Sequence, residues 1–266
     1  MKKALNRGNR QAGFTLLEMM LAVAILTIVM GVVFSNVDMV QKRYNTEDAK
    51  TDMIQESREF VDQLTRDLEQ AGFPAGDMYT ATPADTSTSK AVGLAAVSAT
   101  DVIFEGDVNG DGTVWVVEYQ LDSTQYSGKC PCKLKRSVVA KTAGTAATSV
   151  VPSFSTEVER VLNSAGSTSA YTLVGADAHS QAFDTLYSQY KTFPIFTFYD
   201  VSGNQITVPN DLTGANLTTG SNSVTLSDVH SIVVTVNVLA RLPDQQTQVY
   251  PAISLRGFAL IVNPKT

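Results

Sequence analysis

The sequence predicts an α+β protein: a long N-terminal helix packed on an antiparallel β-sheet head. Three observations predict it. Residues 14–37 form an apolar run whose one charged side chain is Glu18. Apolar residues then recur at helical spacing as far as residue 71. Beyond residue 73, short runs of β-branched and aromatic residues alternate with stretches rich in Ser, Thr, Gly and Asn. A chain of 266 residues holds one such anchor and one sizeable domain with its own core.

Residues 1–13 carry Lys2, Lys3, Arg7 and Arg10 and no acid. A basic cluster ahead of an apolar span stays on the cytoplasmic side, so the sequence from residue 38 onward is expected on the far side of the membrane. The expected divisions are a leader at 1–13, a membrane or filament-core helix at 14–37, an amphipathic helix at 38–72 and an exported β-rich head at 73–266. As a helix, residues 14–37 span about 36 Å, enough to cross a bilayer with some tilt. A carboxylate near one end of such a span costs on the order of a few kcal/mol unless it is paired or interfacial, so Glu18 requires an explanation.

An ordinary secretory signal places its cleavage site after the apolar core. Here the order is basic leader, Gly13, Phe14-Thr-Leu-Leu-Glu18, then the rest of the apolar run. This closely resembles the prepilin signature of type IV pilins and type II secretion pseudopilins. The resemblance implies that a prepilin peptidase cuts after Gly13 and methylates the new N-terminal residue, Phe14. It also implies a single-pass protein of the bacterial inner membrane, cytoplasmic at its N-terminus, that assembles with other pilins or pseudopilins. In a filament, Glu18 is then expected to pair with the N-terminal amine of a neighbouring subunit. Leaving one partner of a desolvated pair alone costs roughly 3–5 kcal/mol, which makes the pair a register device more than a source of stability.

From residue 38 the helix is expected to continue to 71, about 87 Å from its start. Met53, Ser57, Phe60, Val61, Leu64, Leu68 and Ala71 form one stripe toward a core, while Glu56, Arg58, Glu59, Asp62, Arg66, Asp67 and Glu69 stay mostly in solvent. Gly72 can cap the helix and Pro74 opposes continuation. The long helix with its far half packed on a head is the shape the pilin resemblance implies. Expected strands lie at 101–105, 113–121, 133–140, 193–199, 230–241 and 252–262, the clearest being the alternation of Ile232, Val234, Val236 and Val238. Residues 80–100, 142–149, 163–170 and 210–227 read as loops. Residues 66–72, 107–112, 196–203 and 232–238 further resemble segments of PilW-like minor pilins and J-type pseudopilins, large low-copy subunits that prime or cap filaments.

Asp107, Asn109 and Asp111, with Gly112 at position six and Glu118 at position twelve, fit the oxygen-ligand spacing of a calcium loop. The flanking runs read as strands, and Asn109-Gly110 and Asp111-Gly112 are also strong hairpin turn pairs. Both readings, calcium loop and plain hairpin, stand at this point, and no other cofactor is expected. Cys130 and Cys132 flank one proline; an exported location permits a bridge, and two separate thiols fit the sequence equally. His179 and His230 have no partners at zinc-ligand spacing. No nucleophile motif or phosphate-cradling loop is present, so an enzyme is not expected. The net charge of −6, which becomes −10 without the four positive charges of the leader, argues against direct nucleic-acid binding. Two functional classes remain, a filament subunit and a membrane-tethered binding module that uses the same export route.

Overall fold

The computed structural model describes residues 14–73, 91–123, 130–142, 144–164, 185–209, 217–220, 222–244 and 247–261. The chain divides into two compact units, Met1–Asp48 and Ala49–Thr266. The first contributes the opening part of helix α1, which runs Leu16–Glu69. This helix contains a span that is long and apolar enough to cross a membrane, and none of that span is buried against protein. Such a surface is stable in lipid, where the backbone is satisfied within the helix and apolar side chains need no protein cover.

In the second unit, the remainder of α1 packs on an antiparallel sheet. Its strands are β1 (Gly93–Val97), β2 (Asp101–Gly106), β3 (Trp115–Asp122), β4 (Cys132–Ala140), β5 (Phe154–Val161), β6 (Phe196–Tyr199), β7 (Gln205–Ile206), β10 (Ser231–Leu239) and β11 (Ala252–Leu260). A separate hairpin is made by β8 (Leu217–Thr219) and β9 (Asn222–Val224). The order across the curled main sheet is β1-β2-β3-β4-β5-β10-β6-β7, with β11 on β10. The α+β architecture is the one expected.

The expected helical stripe is the buried one: Met53, Phe60, Val61, Leu64, Leu68 and Ala71 pack with Phe104, Val117, Tyr119 and Leu134 of the sheet. Phe60 meets Tyr119 edge-to-face at 5.7 Å. The approach is close enough that a Cβ on Gly257 would lie 2.6 Å from Thr65 Oγ1, and one on Gly106 would collide with the carbonyl of Gln70. The helix ends at Glu69, and its last turn is joined to β2 by main chain, with Gly72 N–H donating to the Glu105 carbonyl at 2.7 Å. Gly72 has φ 87°, the left-handed conformation that suits glycine at a helix end.

Asp67, expected mostly in solvent, is buried instead. Its Oδ2 accepts the Tyr119 hydroxyl at 2.6 Å and Arg136 Nη2 at 2.7 Å, and Arg136 Nε also donates to the Tyr119 oxygen at 3.0 Å. Burial and the neighbouring Asp67 carboxylate both push the Tyr119 hydroxyl above its ordinary pKa. A buried charge of this kind is retained only with its partners in place.

Several expected boundaries shift for local reasons. The strand expected at 193–199 starts at Phe196, because Pro194 has no N–H and the amides of Ile195 and Phe196 both turn to the Ala99 carbonyl. Residues 80–100 include β1, and 210–227 include β8 and β9, so neither segment is wholly loop. The unanticipated β5 hides its alternation. Arg160 at φ 61° inserts an irregular residue, so Val158 and Val161 both reach the core despite odd spacing. The central role of β10 is as expected, with β11 along one edge and β6 and β5 sharing the other. Between these two partial neighbours the ladder has a gap, which the buried Asn163 fills. Its amide donates to the Thr235 carbonyl at 2.9 Å and accepts Asn237 N–H at 2.7 Å.

The Asp67 cluster yields a measurable expectation. Asp67→Leu alone strands a partly buried guanidinium and should cost about 3–5 kcal/mol in urea unfolding of the full chain in detergent. Adding Arg136→Met should recover most of that loss; a double variant as unstable as the single one would show that the cluster is not a coupled unit.

Candidate processing and assembly site

The candidate site lies at the start of α1, and its geometry follows from four consecutive backbone groups that a helix start leaves without partners. Thr15 precedes the first helical residue. Its hydroxyl accepts Glu18 N–H at 3.3 Å, while Glu18 Oε2 accepts Thr15 N–H at 3.2 Å and the Thr15 hydroxyl at 3.3 Å. This is a capping box, in which the residue before the helix and the third helical residue satisfy each other reciprocally. The carboxylate also lies at the positive end of the helix dipole. Thr15 escaped notice in the sequence, although Thr-x-x-Glu ahead of an apolar run is a recognisable signal. Phe14, 81% exposed, stands immediately before the cap. Gly13 and the rest of the leader lie outside the described residues.

The residues considered for calcium are only partly brought together. Asp107 and Asp111 share the turn between β2 and β3, with Gly110 and Gly112 at φ 68° and 79°. Asp107 accepts the amides of Asp111 and Gly112 at 3.0 and 2.8 Å. Asp111 accepts Thr113 N–H at 2.8 Å, the contact that most lowers its pKa, and the Trp115 indole at 3.4 Å. Asn109 is in the same turn. Glu118 lies within β3, paired across the ladder with Ile103 and Ser137. Among the described residues no group of three or more His, Cys, Asp or Glu side chains is arranged to hold a metal ion.

Glu118 Oε1 accepts the side-chain amide of Gln120 at 3.4 Å. Burial, and secondarily the negative charge of Asp101, push its carboxyl up to about 7. Asp101 is held by hydrogen bonds from the Ser98 and Thr100 hydroxyls at 3.1 and 2.7 Å. On the same side of the sheet, Lys141 and Glu105 form a fully buried ion pair at 2.7 Å. Cys130 and Cys132 are joined in a disulfide across a cis Pro131, at the start of β4.

A raised carboxyl pKa fixes the sign of the pH effect. The folded state holds the Glu118 proton more tightly than the unfolded chain, so stability falls as pH rises from the ordinary value of 4.5 through about 7. Glu118→Gln should therefore melt at a higher temperature than the parent chain at pH 8 and converge with it below pH 4.5. Parallel melting curves of the two chains across that window would show that Glu118 is not under strain.

Residues 8–34 match the family described as the prokaryotic N-terminal methylation motif. The match takes in Gly13, Phe14, Thr15 and Glu18 and ends within the apolar part of α1. No curated protein and no solved structure matches the chain. A methylation motif carried on a helix long and apolar enough to cross a membrane supports a type IV pilin-like protein, processed by prepilin peptidase and assembling with other pilins.

Proposed function

We propose that this chain is a PilW-like minor pilin that takes part in the assembly or initiation of a type IV pilus. Prepilin peptidase removes the leader after Gly13 and N-methylates Phe14. The helix then holds the protein in the bacterial inner membrane as a single pass, with the head exported. The single observation that carries this reading is the methylation motif at residues 8–34. The four basic residues of the leader support the orientation. The large head supports a low-copy role, since a bulky domain is hard to repeat at the close spacing of a helical filament. Its work is structural, through helix packing and exposed surface. A J-type pseudopilin of a secretion or DNA-uptake filament shares the same processing, so the identity of co-purifying partners decides the system.

Mass spectrometry of the N-terminus should find a mature chain that begins at N-methylated Phe14, and Gly13→Leu should leave the precursor uncut. A mature chain starting beyond residue 37 would remove the prepilin reading altogether.

The capping box permits a sharper test of Glu18. Glu18→Gln keeps a side chain able to close the box but removes the charge, whereas Thr15→Ala loosens the cap, at about 1 kcal/mol, and keeps the charge. Glu18→Gln should be exported and processed normally yet reduce filament number and capture of partner pilins. Thr15→Ala should assemble. Normal filaments and normal partner capture with Glu18→Gln would favour a tethered module acting through its head alone.

A further inference from the structure

The second unit carries a groove of about 760 Å³ between α1, β5 and the end of β10. Asp52, Glu56 and Glu59 line it from the helix, at positions that fall on one side of the helical cylinder. Glu157 and Glu159 line it from β5. Against these five carboxylates the lining offers two guanidiniums, Arg160 and Arg241, and Lys133, from outside the lining, pairs with Glu159 at 3.3 Å. Arg160 Nε donates to the Leu239 carbonyl at 3.3 Å, and its guanidinium lies over the Tyr250 ring at 5.2 Å. Arg241 reaches Glu56 only at 3.7 Å, and among the described residues Asp52 and Glu59 make no ion pair. Glu56 remains above its ordinary pKa because of burial, with Asp52 and Glu159 adding to the effect and Arg241 opposing it.

Two features separate this groove from an acidic patch that merely faces water. Ser57 lines it and is 1% exposed, yet its hydroxyl has no hydrogen-bond partner. A buried hydroxyl left unpaired is costly, and it is able to accept an N–H from a visiting cation. Of the apolar residues in the lining, Met53, Phe60 and Val238 belong to the core, and Leu242 is exposed, apolar surface of the kind that takes the methylene stems of Lys and Arg while their heads reach carboxylates.

We propose that this groove receives a Lys- or Arg-rich segment of a neighbouring pilin-like subunit. The inference rests on the filament reading and names the surface and the chemistry through which the head would contact its neighbour. Its volume falls within the roughly 300–1,000 Å³ of clefts that enclose a ligand.

The test uses the full chain in uncharged detergent and a fluorescently labelled deca-lysine peptide, with a Gly-Ser peptide as control. Deca-lysine should bind, and more weakly as salt is raised. Glu56→Gln/Glu59→Gln should weaken that binding by about ten-fold. Asp62→Asn/Glu69→Gln, which removes the same charge from helix positions outside the groove, should change it by less than about two-fold. Equal losses in the two double variants, no deca-lysine binding, or binding of calcium alone would overturn the proposal. In cells, reduced partner capture by both Glu18→Gln and the groove variant supports the groove and the filament together. Reduced capture by Glu18→Gln with full capture by a folded groove variant overturns the groove and leaves the filament reading intact. Full capture by both removes the two at once.

Discussion

The constraint on which the second unit depends is how closely α1 approaches the sheet. At Gly106 and Gly257 the helix lies so near β2 and β11 that a single methyl group has no room. That proximity lets the short Asp67 side chain reach Tyr119 and Arg136 on two adjacent strands, and it lets the helix end exchange main-chain hydrogen bonds with β2. A wider gap filled by larger side chains would bury as much apolar surface, but it would leave the Asp67 carboxylate in the interior without its partners. Packing distance and polar satisfaction are therefore one problem at this interface, and two glycines solve it.

The same economy governs the sheet. A central strand such as β10 must have its amides and carbonyls paired on both edges. One edge is covered by β11, while β5 and β6 each supply only part of the other. The Asn163 amide offers a donor and an acceptor in the arrangement of a peptide group, so it stands in for the missing stretch of strand. On the opposite side of the β2–β4 region, buried Glu105 and Lys141 find each other at 2.7 Å. The Ser57 hydroxyl is one of several buried side-chain polar atoms without a hydrogen-bond partner among the described residues, and it is the one that lies beside a row of carboxylates on the helix.

Helix, core stripe and central strand were legible because each rests on a periodic pattern. The apolar run of 14–37, the spacing from Met53 to Ala71 and the alternation of Ile232 to Val238 state their structure directly. What stayed hidden depends on contacts between distant residues or on broken periods. Asp67 looked solvent-facing because its partners lie 52 and 69 residues away. β5 looked irregular because Arg160 takes a left-handed conformation that shifts the phase of its valines. The spacing from Asp107 to Glu118 matched a ligand template; the structure places Asp107 and Asp111 in the turn between β2 and β3 and Glu118 further along β3, paired with Ile103 and Ser137, an arrangement that spacing alone does not state.

Glu18 joins the two levels. In the sequence it stood out as a carboxylate in an apolar span, and pairing with an amine was the explanation the pilin resemblance supplied. The geometry adds that Glu18 closes the first turn of its own helix, so part of its cost is met locally, before any neighbour arrives. The two roles do not compete. Both bonds from Thr15 end on Oε2, which leaves Oε1 outside the cap. A cap removes no charge, and the full negative charge of the carboxylate stays available to a cation. In the proposed filament, the amine created at Phe14 by cleavage is a cation of that kind, presented by each subunit at the same level of its helix. Under that proposal the charge and not the cap joins one helix to the next: Thr15 lowers the local cost of Glu18, and the ion pair with a neighbour's amine sets the register.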